Sequence, residues 1–302
     1  MTGEATFAVV TVNYGSSALI RENFAELDLS PRGRLVIVDS FSSQAEREAV
    51  RRVAADLGAE CVLLDDNRGY GGGTNAGAAH ALEQGVDVIV PLNPDARIGG
   101  ADLRRIVEAA RGTRDLVSPR IVTGSGANWF AGSDLYLDDG TTAGRAARPR
   151  HEGRPRREWA TGACFALSAA MWSQLGGFDE EYFLYWEDID LSHRVLDAGG
   201  ALVLDHDAVV VHDEGGTHED ETRDRAKSPT YYYYNIRNRM MYARKHFDRD
   251  GVRRWRRSDL RVGYGILLQG GRRQLLSPAP WRAFLRGIRD GRRVGATGAG
   301  AR

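Results

Sequence analysis

Along the first 122 residues, two patterns of hydrophobic and polar positions alternate. Short apolar runs predict buried strands, and each is followed by a stretch in which apolar residues recur at helical spacing. Strands that alternate with helices in this way predict βαβ units and an α/β fold with a mostly parallel central sheet flanked by helices. We expect strands at residues 7–12, 34–39, 60–64, 87–92 and 115–122, and helices at 17–29, 44–57, 74–83 and 101–111.

The pattern changes after residue 124, where short strands and turns replace the regular alternation. Here we expect short strands over 129–137, a basic loop over 143–157, a strand over 158–167, helices over 169–175 and 187–198, and a strand over 201–211. From residue 229 onward the chain is predicted to be helical and basic. We therefore divide it into an α/β domain, 1–228, with halves 1–124 and 125–228, and a C-terminal region, 229–302.

Charge is distributed unevenly, although the formal net charge is zero. Residues 251–302 hold 13 arginines and two acidic residues, so the remainder of the chain is acidic. A nucleic-acid-binding domain would carry its basic surface on the folded body, so we expect no nucleic-acid partner. Within 280–293, apolar residues at helical spacing among arginines predict a helix that lies on an anionic membrane or packs on the protein or a second copy, as a homodimer. These apolar residues are Trp281, Phe284, Leu285 and Ile288.

The two cysteines and the N-terminus bear on the cellular compartment. Cys61 and Cys164 show no C-x-x-C spacing, so we expect neither a disulfide framework nor a zinc cluster. No signal peptide is recognisable, and no apolar run approaches the roughly 20 residues that a membrane span requires. We expect a cytoplasmic protein, either free or peripheral at the inner face of the plasma membrane.

Two polar residues follow predicted strands in positions suited to a cation. Asp95 lies just beyond the strand at 87–92, where it could hold a divalent cation against a diphosphate or cap a helix. His212 follows the strand at 201–211, where a histidine is commonly solvated or hydrogen-bonded. Together, Asp95 and His212 at one sheet edge would suit Mg²⁺ or Mn²⁺.

Three acids open the helix predicted at 187–198, and aromatic residues precede them. Glu187, Asp188 and Asp190 could simply complement the positive end of the helix dipole. An aromatic, partly dry environment would instead raise the basicity of a carboxylate toward that of a general base. The density of aromatic residues favours the catalytic interpretation.

A glycine-dense segment, 66–77, separates a strand from a helix. It contains G-x-G-x-x-A at Gly71, Gly73 and Ala76, which is a partial match to a dinucleotide-binding loop. Such a loop normally follows the first strand of its domain, whereas two βα units precede this one. A dinucleotide site is therefore an alternative rather than the main hypothesis.

Taken in chain order, these segments resemble the family 2 glycosyltransferases of the GT-A fold, most closely the bacterial rhamnosyltransferase-like branch. The resemblance covers roughly residues 6–245 and rests on an ordered set of motifs rather than on one. Its pieces lie at residues 9–14, 36–40, 67–77, 92–95, 162–164, 176–179, 186–191 and 232–239.

The resemblance implies a role for each matched residue. Asp188 would be the catalytic base, with Glu187 as the rival assignment. Asp95 and His212 would bind the metal, with Asn93 where the family often has a second acid. The nucleotide-sugar site, in the half 1–124, would comprise Val12, Asn13, Asp39, Asn67, Arg68, Gly69, Gly73, Asn75, Asn93 and Asp95. The acceptor side, in the half 125–228, would comprise Trp186, Gly162 and Asp190. Asp39 would contact the nucleobase, although Ser40 and Phe41 depart from the family pattern there.

The resemblance also implies the reaction. A hexose or deoxyhexose such as rhamnose would move, with inversion, from a dTDP- or UDP-linked donor to a hydroxyl of a glycan, lipid-linked or small-molecule acceptor. A divalent cation, Mg²⁺ or Mn²⁺, would assist, and the pathway would build a cell-envelope glycan or a natural product. The alternatives are an NAD-type oxidoreductase that uses the Gly71 loop and a non-catalytic module that binds sugar nucleotides.

Overall fold

The computed structural model describes residues 4–212 and 227–296, which form two compact units. The first unit comprises Met1–Ser133, Glu158–Phe183 and Glu187–Gly216, and the second comprises Asp134–Arg157, Leu184–Trp186 and Thr217–Arg302. The predicted division at residue 228 follows the segment 213–226, which lies outside the described residues. That division therefore stays a prediction.

Secondary structure follows the alternation that the sequence indicates. Up to residue 130 the chain contains β1 (Phe7–Asn13), α1 (Ser17–Phe24), β2 (Gly33–Asp39), α2 (Gln44–Asp56), β3 (Glu60–Leu63), α3 (Gly69–Glu83), β4 (Val88–Pro91), β5 (Ala96–Ile98), α4 (Gly100–Ala110), β6 (Leu116–Val122) and β7 (Asn128–Phe130). It continues with β8 (Ser133–Tyr136), β9 (Thr142–Gly144), β10 (Arg156–Trp159), β11 (Leu167–Ser168), α5 (Ala169–Leu175), α6 (Glu187–Asp197), β12 (Leu202–His212), α7 (Pro229–His246), α8 (Arg249–Arg257), α9 (Asp259–Leu268) and α10 (Pro278–Ala296).

The main sheet of the first unit has the order β11-β4-β1-β2-β3. Strands β4, β1, β2 and β3 are parallel, and β11 is antiparallel to β4. The predicted parallel α/β sheet is therefore confirmed. In the register of β1 and β2, Asn13 lies opposite Asp39, so two predicted site residues meet at the carboxyl edge of the sheet.

A second sheet of the first unit has the order β5-β12-β6-β7. The sequence did not predict β5, which runs antiparallel to the end of β12 and places Ala96 opposite His212. This pairing brings the residues just before β5 next to the end of β12. The position of His212 beside Asp95 thus depends on a strand of three residues.

Helix α3 packs closely on the parallel sheet, and its glycines make that approach possible. A Cβ atom on Gly73 would lie 2.7 Å from Val12, and one on Gly77 would lie 2.5 Å from Val10. At its first residue, Gly69 has a φ of +73°, and a Cβ there would collide with the carbonyl of Phe183. The glycine pattern is therefore largely a packing requirement between helix and sheet.

Three predicted boundaries were wrong. Helix α3 begins at Gly69 rather than at residue 74, and α1 ends at Phe24 rather than at residue 29. The strand expected over 158–167 is instead two short strands, β10 and β11, joined by a turn. Within this turn, the N–H of Gly162 donates to the carboxylate of Asp188.

The second unit combines a three-stranded sheet, β10-β8-β9, with helices α7 to α10. The segment predicted as a basic loop is ordered, since Arg148 pairs with Asp134 and Arg154 pairs with Asp138. A buried ion pair joins Arg239 of α7 to Asp259 of α9. Among the described helices, none combines the length and the apolar character needed to cross a bilayer.

Candidate active site

Two adjacent acids open helix α6 and occupy different environments. The Asp188 carboxylate accepts a hydrogen bond from the N–H of Gly162 at 3.0 Å and another from the N–H of Ile189 at 2.8 Å. The Glu187 residue is only 6% exposed, and its Oε2 atom has no hydrogen-bond partner among the described residues. The protein therefore stabilises a negative charge on Asp188 far better than on Glu187.

Because their environments differ, the two carboxyl groups have different pKa values. Burial raises the pKa of Asp188 to about 6, because the loss of water outweighs its backbone hydrogen bonds. Burial together with the nearby charge of Asp188 raises the pKa of Glu187 to about 8. The two backbone N–H groups that donate to Asp188 favour the negative charge there, so a proton shared by the pair is held more readily by Glu187. Two neighbouring acids with separated pKa values are typical of catalytic sites.

Gly162 links the acid pair to the start of helix α3. Its N–H donates to Asp188, and its carbonyl accepts a 2.6 Å hydrogen bond from the hydroxyl of Tyr70. A Cβ on Gly162 would lie 3.3 Å from the Tyr70 ring and 3.4 Å from Cβ of Asp188. A side chain at this position would therefore crowd both neighbours.

A second cluster lies where β5 meets the end of β12. Nε2 of His212 is 3.2 Å from Oδ1 of Asp95, and Nδ2 of Asn93 is 3.5 Å from the same nitrogen. The ring of Trp129 packs against the imidazole of His212, with ring centroids 4.4 Å apart. The structure thus brings together all three residues of the predicted metal position.

The donor set of this cluster fits a hard divalent cation. Oδ1 of Asp95 is buried beside Nε2 of His212 without a hydrogen bond, and the buried Nδ1 of His212 has no hydrogen-bond partner in the part of the chain that the structure describes. Across those same ranges, no three His, Cys, Asp or Glu side chains form a metal site by themselves. A cation held by Asp95 and His212 would therefore need further oxygen ligands, which a diphosphate and water can supply.

A third cluster lies at the carboxyl ends of β1 and β2. The buried carboxylate of Asp39 accepts hydrogen bonds from Asn13 at 3.2 Å and from Arg47 at 2.7 Å. The hydroxyl of Ser40 donates to the side-chain oxygen of Asn67, and the guanidinium of Arg47 stacks over the ring of Phe41. Both oxygens of Asp39 are thus engaged by the protein.

Comparison with known proteins agrees with this geometry. Residues 8–171, which are more than half of the chain, match the model of the family described as glycosyl transferase family 2. The chain belongs to glycosyl transferase family 2. It is a nucleotide-sugar-dependent glycosyltransferase, and this assignment replaces the dinucleotide-binding and non-catalytic alternatives.

This family 2 enzyme is similar to two curated relatives and to one solved structure. The low-salt glycan biosynthesis hexosyltransferase Agl10 of Haloferax volcanii is 25% identical over 253 residues, covering 80% of this chain and 76% of the relative. The N-acetylglucosaminyl-diphospho-decaprenol L-rhamnosyltransferase of Mycobacterium tuberculosis is 26% identical over 233 residues, covering 68% and 75%. The mannosyltransferase PcManGT of Pyrobaculum calidifontis, solved with GDP-Man and Mn²⁺, aligns with a TM-score of 0.57 at 17% identity, covering 98% of this chain and 88% of that one. The predicted GT-A fold is confirmed.

Other predicted site residues of this glycosyltransferase make mainly internal contacts. The amide of Asn75 bonds to both backbone groups of Phe178, and the carboxylate of Asp190 bonds to Tyr182 and Arg194. The Val12 side chain is buried against α3. These contacts give Asn75, Asp190 and Val12 structural roles, and their contact with a substrate stays a prediction.

Three further predicted residues differ in exposure. Arg68 is exposed and pairs with Asp66, so its side chain is accessible to a ligand. Gly69 contributes the left-handed turn that starts α3. The Trp186 ring is buried in the second unit against Tyr242, and its place on the acceptor side stays a prediction.

Sequence reasoning missed three residues that support the site. Tyr70 holds the carbonyl of Gly162, Trp129 packs on His212, and Arg47 pairs with Asp39. Each acts through a contact with a residue distant in the chain. The aromatic character of Tyr70 and Trp129 was visible, but their partners were not.

Proposed function

We propose that this glycosyltransferase transfers a hexose or deoxyhexose, with rhamnose as the first candidate, and inverts the configuration of the anomeric carbon. The observation that carries this proposal is the asymmetric acid pair. Asp188 is held as a carboxylate by two backbone N–H groups, beside a Glu187 that keeps its proton. A single buried base of this kind suits a one-step displacement.

In the proposed mechanism, Asp188 accepts the proton of the acceptor hydroxyl as the oxygen attacks the anomeric carbon. The bond from that carbon to the diphosphate oxygen breaks on the opposite face, and the nucleoside diphosphate leaves. One displacement of this kind inverts the configuration, and the positioned base accelerates it by roughly 10²- to 10⁴-fold. Glu187 is the weaker candidate for the base because at neutral pH its carboxyl group already carries a proton.

Asp95 and His212 would hold a divalent cation, Mg²⁺ or Mn²⁺. When bound, the cation would stabilise negative charge on the departing diphosphate. Two observations support this: the buried Oδ1 of Asp95 lies 3.2 Å from Nε2 of His212, and the Pyrobaculum mannosyltransferase was solved with Mn²⁺. Asn93 offers a neutral amide oxygen in place of a second carboxylate.

The donor and acceptor are proposed from the relatives. The name of the Mycobacterium relative supports rhamnose, hence a dTDP-linked donor, and a lipid-linked acceptor, and that of the Haloferax relative supports glycan biosynthesis. UDP-linked donors and small-molecule acceptors are the alternatives. We also propose that the enzyme acts in the cytoplasm.

The decisive experiment combines donor screening with two matched variants. Release of nucleotide is measured with dTDP-rhamnose, UDP-glucose and GDP-mannose, with and without Mn²⁺, and the product's anomeric configuration is determined by NMR. We expect Asp188→Asn to lower turnover by about 10²-fold or more with sugar-nucleotide binding retained. Glu187→Gln, which replaces one neutral group by another, is expected to keep most of the activity. Full activity of Asp188→Asn, or retention of configuration, would contradict the mechanism.

A further inference from the structure

Large apolar side chains are exposed together on the last helices of the second unit. Leu276 is 90% exposed and Leu285 is 62% exposed, which is unusual for leucines in a folded unit. Elsewhere in the described chain, only Tyr14 and Val203 are large apolar residues with comparable exposure. We call the surface formed by the following six residues the apolar patch. It comprises Leu260, Tyr264 and Leu268 of α9, Leu276 of the following turn, and Trp281 and Leu285 of α10.

Ring contacts and helix spacing make the apolar patch continuous. The rings of Tyr264 and Trp281 stack with centroids 6.2 Å apart, which joins α9 to α10. The indole N–H of Trp281 donates to the carbonyl of Leu275, which brings the backbone next to Leu276 close to the Trp281 ring. Leu285 follows Trp281 by one helical turn and therefore shares its face.

The other face of α10 is buried in the interior of the second unit. Phe284 and Ile288 belong to a buried cluster with residues of α7 and α9. Gly263 permits this packing, because a Cβ there would lie 2.8 Å from the Phe284 ring. Of the alternatives that the sequence left open for these apolar residues, packing on the protein holds for Phe284 and Ile288.

Exposed arginines lie close in the chain to residues of the apolar patch. Arg272, Arg273 and Arg282 are exposed and have no carboxylate partner among the described residues. Asp259 and Asp290, which are the two acids between residues 251 and 302, are each paired with an arginine. Among the described residues of this region, the exposed charge next to the apolar patch is therefore carried by arginines.

We propose that the apolar patch docks the enzyme on an anionic lipid bilayer. The leucines and the Tyr264–Trp281 pair would enter the boundary between headgroups and acyl chains, and the bordering arginines would contact lipid phosphates. A second copy fits this surface poorly, because it would bring two cationic borders together. The inference goes beyond the proposed glycosyl transfer, which requires no bilayer when the acceptor is soluble.

Vesicle flotation of the full-length protein tests the proposal. Vesicles of phosphatidylcholine alone are compared with vesicles that also contain phosphatidylglycerol. The variants are Leu276→Ser/Leu285→Ser and Arg272→Gln/Arg273→Gln/Arg282→Gln, and the matched exposed controls are Val203→Ser and Arg51→Gln/Arg52→Gln. We expect flotation only with phosphatidylglycerol, a fall in partitioning of about tenfold or more for each patch variant, and wild-type partitioning for the controls.

Three results would overturn the proposal. The first is a wild-type protein that fails to float with anionic vesicles, and the second is flotation that neither patch variant reduces. The third is a wild-type protein that binds no lipid and is a dimer in light scattering, while the Leu276→Ser/Leu285→Ser variant is a monomer. The occupant of the apolar patch would then be a second copy. Nucleotide release with a water-soluble acceptor should be unchanged in the patch variants, which separates this test from that of the proposed function.

Discussion

Replacing Glu187 by glutamine should change how the stability of the enzyme depends on pH. The pKa of this buried carboxyl group is raised from 4.5 to about 8 on folding. Between these values the folded state keeps a proton that the unfolded state releases, so the free energy of unfolding falls as pH rises. One proton contributes about 1.4 kcal/mol per pH unit. The buried Glu187 should therefore lower the free energy of unfolding of the wild-type protein by about 3 kcal/mol as the pH rises from 5 to 7.5.

The assay is urea unfolding followed by tryptophan fluorescence, at several pH values from 5 to 8, for the wild type and for Glu187→Gln. All other titrating groups are common to both proteins, so their contributions cancel in the difference. We expect the variant to gain stability relative to the wild type as pH rises, by about 3 kcal/mol between pH 5 and pH 7.5. Parallel profiles would show that Glu187 ionises in the folded state near its ordinary pKa, and the assignment of the shared proton would then be wrong.

Three further outcomes follow from the same geometry. The turnover of the Glu187→Gln variant should rise with pH through about 6, as in the wild type, because Asp188 must lose its proton to act as the base. A shift in the midpoint of this rise between variant and wild type would contradict this. Trp129→Ala should weaken Mn²⁺ binding, measured by electron paramagnetic resonance, by about tenfold or more, because the ring orients His212, whereas Trp129→Phe should restore it. Asn238→Ala should destabilise the protein by about 2 kcal/mol or more in thermal unfolding, because the buried amide donates to two backbone carbonyls; an unchanged melting temperature would show that other groups replace it.

Much of the fold could be predicted because its signals are local. The apolar runs of β1, β2 and β4 and the helical spacing of α2 and α4 depend on neighbours a few residues away, so the sequence displays them directly. Strand β5 was missed because three residues carry too little pattern. The strand over 158–167 was wrong because its apolar run does not reveal that Gly162 turns toward Asp188.

The candidate site divides in a similar way. The motif order identified Asp188, Asp95 and His212 as a set, and family membership followed from it. Which acid of the pair carries the proton could not be predicted, since it depends on the N–H of Gly162, which is distant in the chain. The same holds for Trp129, whose role comes only from its contact with His212.

The amino-acid sequence by itself determined the alternation of strands and helices, the glycosyltransferase family to which the chain belongs, and the basic, partly apolar composition of the C-terminal region. Tertiary structure decided that β5 pairs with β12 and so places Asp95 beside His212, and that Phe284 is buried while Leu285 is exposed. The reason is physical. The periodicity of strands and helices depends on residues that are close in the chain, whereas desolvation, pKa and exposure depend on which distant residues the fold brings into contact.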